Sequence, residues 1–175
     1  HPDRHSVPGV EMSSGSLGHG LSIGAGVALS AKIDKSEKRT FILLGDGECN
    51  EGMIWEAALF AGHRKLDNLV AIVDYNRLQG FGSTDKVLSL DPLKQKFQSF
   101  GWSVKVINGN NMAEIVESMN KLPFEVGKPN VLIANTIKGK GSAVLENKLE
   151  SHYLVLDSAL RDKIINDLHS AGHTS

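Results

Sequence analysis

The sequence predicts an α/β domain: a parallel sheet with helices on both faces. Three observations predict it. Short, mostly continuous apolar runs occur at 40–44, 69–73, 102–107 and 130–135. Segments of helical composition separate them, and continuous rather than alternating runs mark strands covered on both sides. Breakers end the runs or precede them, as at Gly45 and at Gly127-Lys128-Pro129.

In chain order, residues 17–33 are rich in Ala, Leu and Ile and predict a helix. Residues 40–44 predict a short buried strand that stops at Gly45. Residues 51–65 predict a helix, with Asn50 as its N-cap and Glu51 in its first turn. Residues 69–73 form a second buried strand. Residues 92–100 predict a short helix capped by Asp91, and 102–107 a third strand. A helix at 112–122 and a fourth strand at 130–135 follow. Residues 138–150 read as a loop, and 158–170 as a final helix. In such sheets ligands bind beyond the carboxyl ends of the strands. That directs attention to 45–51, 74–82, 108–111 and 136–141.

The 175 residues and 18.9 kDa suit one domain spanning 1–175. A formal net charge of −1 excludes the basic balance that nucleic acid or an anionic membrane calls for. The apolar runs are too short to span a bilayer. Cys49 is the only cysteine, which excludes an intrachain disulfide or a four-cysteine zinc site and fits a reducing cytoplasm. The chain opens at His1 with no methionine and no signal stretch, so an upstream segment is expected. No internal repeat or low-complexity linker divides it.

Asp46, Glu48, Glu51 and Asp74 fall at or just beyond the first two strand ends, joined by Asn76. If these strands are neighbours, Asp46 and Asn76 face one another. A carboxylate, an amide oxygen and a nearby carbonyl supply hard oxygens of the kind magnesium takes. The flanking Gly45 and Gly47 would let a diphosphate approach the backbone. The competing reading of Gly-Asp-Gly is an ordinary turn.

Gly18, Gly20 and Gly24 come near a dinucleotide fingerprint, but the spacing is one residue too long and no strand precedes it. Gly20, Gly24 and Ala28 instead share one helical face, which would admit another helix. Gly15 to Gly18 read as a ligand-facing turn. TIKGKGSA lacks the Ser or Thr of a phosphate-binding loop, and Leu78 occupies an oxygen position of a would-be calcium loop. The histidines match no common zinc spacing. His63, His169 and His173 read as structural or solvated, whereas His1, His5, His19 and His152 fall in loops or turns.

GDGECNEGMIWEA, followed by Asn76 after 28 intervening residues (48–75), resembles the thiamine-diphosphate signature. PGVEMSSGSLGHGLSIGAG, KLDNLVAIVDYNRLQG and NTIKGKG are similar to transketolase segments, in the same order, over roughly residues 1–150. The resemblance implies the thiamine-diphosphate-binding fold and the diphosphate side of a transketolase, or the N-terminal subunit of a split one. It implies that Asp46, Asn76 and the Leu78 carbonyl hold Mg2+, and that the Gly47 amide meets the diphosphate. Gly15 and Leu17 would line the aminopyrimidine and thiazolium region. His1 and His152 would serve cofactor and substrate, and Glu51 would meet a partner carboxylate across a dimer interface.

Two positions depart from the family pattern. Tyr153 follows His152 where Gly is usual, and Phe81 stands where an acid is common. The pyrimidine-binding half lies outside these residues. The expected function is therefore thiamine-diphosphate-dependent ketol transfer between sugar phosphates, active only in a homo- or hetero-oligomer with a pyrimidine-binding subunit or domain. The alternatives are a deoxyxylulose-phosphate synthase-like or specialised sugar transketolase subunit, or a non-catalytic assembly subunit of the same fold.

Overall fold

The computed structural model describes residues 1–170. In order they form α1 (His19–Ile33), β1 (Thr40–Gly45), α2 (Gly52–His63), β2 (Leu69–Tyr75), β3 (Leu78–Gln79), β4 (Gly82–Ser83) and α3 (Thr84–Val87). Then come α4 (Leu93–Ser99), β5 (Ser103–Asn108), α5 (Met112–Asn120), β6 (Asn130–Asn135) and α6 (Ser158–Ser170). Single 3₁₀ turns occupy Gly47–Asn50 and Leu149–His152.

Four strands make a parallel sheet in the order β1-β2-β6-β5, and β3 and β4 form a separate antiparallel hairpin. Period-two alternation sorts the strand side chains to two faces. Leu44, Leu69, Ala71, Val73, Val131 and Ile133 pack with α1, α2 and α4. Val70, Leu132, Ala134 and Ile107 pack on the other face with Ile115 and Met119 of α5. Each fully buried Leu or Val contributes roughly 1.5–3 kcal/mol of transfer free energy.

The expected buried strand at 40–44 is half exposed. β1 lies at the sheet edge, and α5 covers the second face over β5 and β6 but not over β1. Leu43 is 73% exposed and Phe41 is also in solvent. The Gly20–Gly24–Ala28 face admits a strand rather than a helix: a Cβ on Gly24 would lie 2.5 Å from Ile42 Cδ1. α1 therefore rides directly on β1, and its outward face carries Ile23 and Val27.

Two expected caps are replaced. Glu51 rather than Asn50 is the N-cap of α2, without a side-chain cap bond. Asn50 Nδ2 instead donates to the Leu88 carbonyl (3.1 Å), and its Oδ1 accepts from Gln79 Nε2 (3.1 Å). Pro92 caps α4, while Asp91 accepts from the Tyr75 hydroxyl at 3.1 Å. In both cases a tertiary partner takes the side chain the local pattern assigned to a helix end. Asn111, by contrast, caps α5 by accepting from the Ala113 and Glu114 amides.

Among the described residues, no helix is long and apolar enough to cross a membrane.

Candidate active site

The adjacent parallel ends of β1 and β2, in register at Gly45 and Asp74, set two loops side by side. Asp46 follows β1 and is only 2% exposed. Its Oδ1 accepts from the Gly47 amide at 2.7 Å and its Oδ2 from the Arg77 amide at 2.5 Å. Asn76 therefore stands beside Asp46, and its Oδ1 accepts from the Leu78 amide at 2.9 Å. The Asp46 amide in turn donates to the Asp74 carbonyl at 3.2 Å, and the Asp74 carboxylate accepts from the Thr136 hydroxyl.

Burial raises the Asp46 carboxyl above the ordinary carboxylate value. The Arg77 and Gly47 amides oppose that rise, Asp74 adds to it and the Lys138 charge opposes it. Among the described residues Asp46 has no salt-bridge partner. A buried carboxylate held by amides, with no salt bridge among the described residues, is a place where a cation is stabilised. No group of three or more His, Cys, Asp and Glu gathers among the described residues. The side-chain oxygens placed at this site are the Asp46 carboxylate and the Asn76 amide oxygen, hard donors of the kind magnesium takes.

Residues 9–18 enter α1 from a second side. Gly15, at φ 140°, accommodates His1: a Cβ there would lie 2.9 Å from the imidazole Cγ. Gly18, at φ 84°, is the N-cap of α1 and is buried against Glu51, whose Cβ would sit 2.9 Å from a Cβ at position 18. Glu51 itself is exposed at the start of α2, and Leu17 is exposed beside Gly18 in sequence order. Glu48 joins the two sides: Oε1 accepts from the Gly18 amide at 2.9 Å and Oε2 from the Gly45 amide at 3.1 Å.

The third side is the hairpin and the turn at Leu149–His152. A Cβ on Gly47 would lie 2.8 Å from Gln79 Cβ, so only glycine allows the hairpin to close over the turn after β1. A Cβ on Gly80 would meet the Tyr153 hydroxyl at 2.3 Å and His152 Nε2 at 3.4 Å. The His152 and Tyr153 rings stack edge to face, with centroids 4.8 Å apart at 66°. The two departures from the family pattern, Phe81 and Tyr153, thus fall at one place, the loop around Gly80.

Of the residues singled out in the sequence, Gly45, Asp46, Gly47, Asn76 and Leu78 converge on the two strand ends. Gly15 and Leu17 lie in the segment that leads into α1, with His1 against Gly15; Glu51 packs on Gly18, and His152 lies beside Gly80 of the hairpin. The Gly47 amide, expected to be free for a diphosphate, is taken by the Asp46 carboxylate. Cys49 is fully buried, and burial with the Glu48 and Asp46 charges pushes its thiol up to about 12. His63 and His169 are exposed on helices, and His173 lies outside the described residues.

Sequence reasoning misses three contributors. Lys138 drops out with its near-miss phosphate motif, yet its charge reaches Asp46. Glu48 counts there only as one of several acids. Gln79 carries no signal, because its role is set by a two-residue hairpin too short to leave a pattern.

A family model for "Transketolase, thiamine diphosphate binding domain" matches residues 1–171. The chain is 41% identical over 172 residues to a 6-deoxy-6-sulfo-D-fructose transketolase subunit from a Clostridium species, covering 98% of this chain and 62% of that protein. It is 46% identical over 147 residues to an apulose-4-phosphate transketolase subunit from Phocaeicola vulgatus, covering 84% of this chain and 52% of that protein. The crystal structure of a Campylobacter jejuni transketolase superposes with a TM-score of 0.85 at 30% identity, over 92% of this chain and 26% of that one. The chain thus spans between half and two thirds of the curated relatives it matches first. With the parallel sheet, the oxygen-rich strand ends and this match over nearly all its length, the chain belongs to the transketolase thiamine diphosphate binding domain family.

Proposed function

We propose that this chain is the diphosphate and metal side of a thiamine-diphosphate-dependent ketol transferase acting on sugar phosphates, completed by a pyrimidine-binding partner subunit or domain. The observation that carries the reading is Asp46: a buried carboxylate at a strand end, ringed by backbone amides and lacking a salt-bridge partner among the described residues.

Asp46, Asn76 and the Leu78 carbonyl would hold Mg2+. Lys138 would add positive charge for a diphosphate. Thiamine diphosphate, when bound, supplies the electron sink for carbon–carbon bond chemistry. The chain's own residues bind and orient. The turn at Gly45 and Gly47 would meet the diphosphate, and Gly15 and Leu17 would flank the cofactor rings. His1 and His152 hydrogen-bond substrate oxygens and move protons at the substrate hydroxyl and carbonyl. Glu51 would face a partner carboxylate across the interface. Exposed Ile23, Val27 and Leu59 on α1 and α2 offer the partner an apolar surface. A cytoplasmic setting fits the single unpaired cysteine.

A second reading, a specialised sugar transketolase subunit, is favoured by Phe81 (85% exposed) and Tyr153 (68% exposed) on the rim. It is also favoured by the sugars in the names of the two subunit relatives.

The test is a ketol-transfer assay of the chain alone and with candidate pyrimidine-binding subunits, together with calorimetry of thiamine diphosphate binding with and without EDTA. Turnover only in the assembly and metal-dependent binding are expected. Turnover by the chain alone would overturn the split architecture, and equal affinity in EDTA would remove the metal.

A further inference from the structure

We infer that Glu48 is a positioning residue: it fixes the loop that enters α1 against the turn after β1, so that the two sides of the cofactor cradle keep one spacing. This rests on the functional reading above, in which residues 15–17 face the cofactor rings and residues 45–47 face its diphosphate.

One carboxylate takes two backbone amides from segments far apart in sequence. Gly18 donates at 2.9 Å and Gly45 at 3.1 Å, one to each oxygen. Both donors need a partner. The Gly18 amide is among the unpaired donors at a helix start. Gly45 ends an edge strand whose sole neighbour among the described strands is β2. Bonds from amides to an ionised carboxylate are roughly twice as strong as neutral ones.

No other hydrogen bond among the described residues does the same for the segment before α1. Hydrogen bonds made by residues 1–17 all stay within residues 1–19, among the described residues. The segment is internally tied, as by Ser14 to the Pro2 carbonyl and Ser13 to Asp3, but among the described residues it has no other bond to the strand ends. Its first anchor is the Gly18 amide on Glu48. Packing reinforces the contact: Gly18 is buried, and Glu51 fills the space where any side chain at position 18 would go. Position 48 is thus the hinge pin between a loop without other polar attachment and the turn that carries Asp46.

A ligand that touches both sides senses that spacing, and a ligand that touches one does not. The experiment uses the protein assembled with its partner subunit. It compares thiamine diphosphate with inorganic pyrophosphate, each with Mg2+, by calorimetry. Glu48→Ala is expected to weaken thiamine diphosphate binding by on the order of tenfold or more, the scale of a lost charged hydrogen bond. Pyrophosphate binding should stay within about twofold of wild type. Glu48→Gln keeps the side-chain size and one accepting oxygen, so an intermediate loss is expected. It also keeps the test informative if the alanine variant folds poorly. Unchanged thiamine diphosphate affinity in both variants would overturn the assignment. So would an equal loss for both ligands, which would make Glu48 part of the diphosphate turn alone. Wild-type protein that binds neither ligand would overturn the functional reading and this assignment with it.

Discussion

The Arg77 amide lies 2.5 Å from Asp46 Oδ2, so the loop after β2 closes onto the carboxylate that opens the turn before α2. The same carboxylate holds the Gly47 amide at 2.7 Å. Asp46 is therefore the knot that keeps Asn76 beside it and, in the proposed function, would be the anionic ligand offered to a cation. Asp46→Ala is expected to abolish tight thiamine diphosphate binding by the assembled protein in calorimetry. His63→Ala, on the exposed end of α2, should bind as wild type does. Retained affinity in the first variant would remove Asp46 from the site.

Two glycines in helices should respond in opposite directions to alanine. A Cβ on Gly62 of α2 would lie 1.8 Å from the Phe100 carbonyl oxygen, a backbone atom with nowhere to retreat. Gly62→Ala should cost about 1–3 kcal/mol of unfolding free energy by overpacking. Gly26 of α1 has open space, and Gly26→Ala should gain about 0.5–1 kcal/mol from the lower entropy of the unfolded chain. Urea unfolding of both variants reads the difference.

Stability should carry an acid-side dependence at Asp67. Partial burial pushes its carboxyl up, but the Lys32 ammonium at 2.6 Å and the Gly127 amide outweigh that and hold it below the ordinary value of 3.8. A folded-state value below the unfolded one gives stability that is present above the ordinary value and lost as pH falls through the lowered one. Asp67→Asn should therefore be less stable than wild type at neutral pH, with the gap closing at pH below 3.8. A gap of constant size would show that the charge is not its source.

Tyr153 should govern which sugar the assembled enzyme prefers. Its hydroxyl lies over Gly80 at the rim, outside the oxygen cluster around Asp46. Tyr153→Gly is expected to change the kcat/KM ratio between two sugar phosphate acceptors by about tenfold, the scale of a reshaped pocket contact. Thiamine diphosphate affinity should hold. An unchanged ratio would leave Tyr153 without a part in selection.

The strands were legible because four apolar runs lie between turn residues, and β6 has the predicted bounds, Asn130–Asn135. The cluster of Asp46 and Asn76 was legible too, since both follow strands that pair directly. The misreadings share a cause. Asn50 and Asp91 fit local capping rules, but Leu88, Gln79 and Tyr75 claim their side chains across the fold. β1 is apolar enough for a central strand, yet strand order put it at an edge, and order is not written in any one segment. Glu48 shows the same limit for function: its two partners are glycines, whose backbone donors leave no trace in residue type.

The buried Cys49 gives the molecule a built-in indicator of its own integrity. With a thiol pushed up to about 12 and no exposed surface, it carries almost no thiolate at neutral pH while the turn Gly47–Asn50 is intact. Alkylating reagents should pass it by until that turn opens. As the sole cysteine in the chain, it packs in the main core, so its labelling rate would report the opening of the cradle floor and of the core beneath it, and a ligand that closes the cradle would slow the reaction without touching the sulfur.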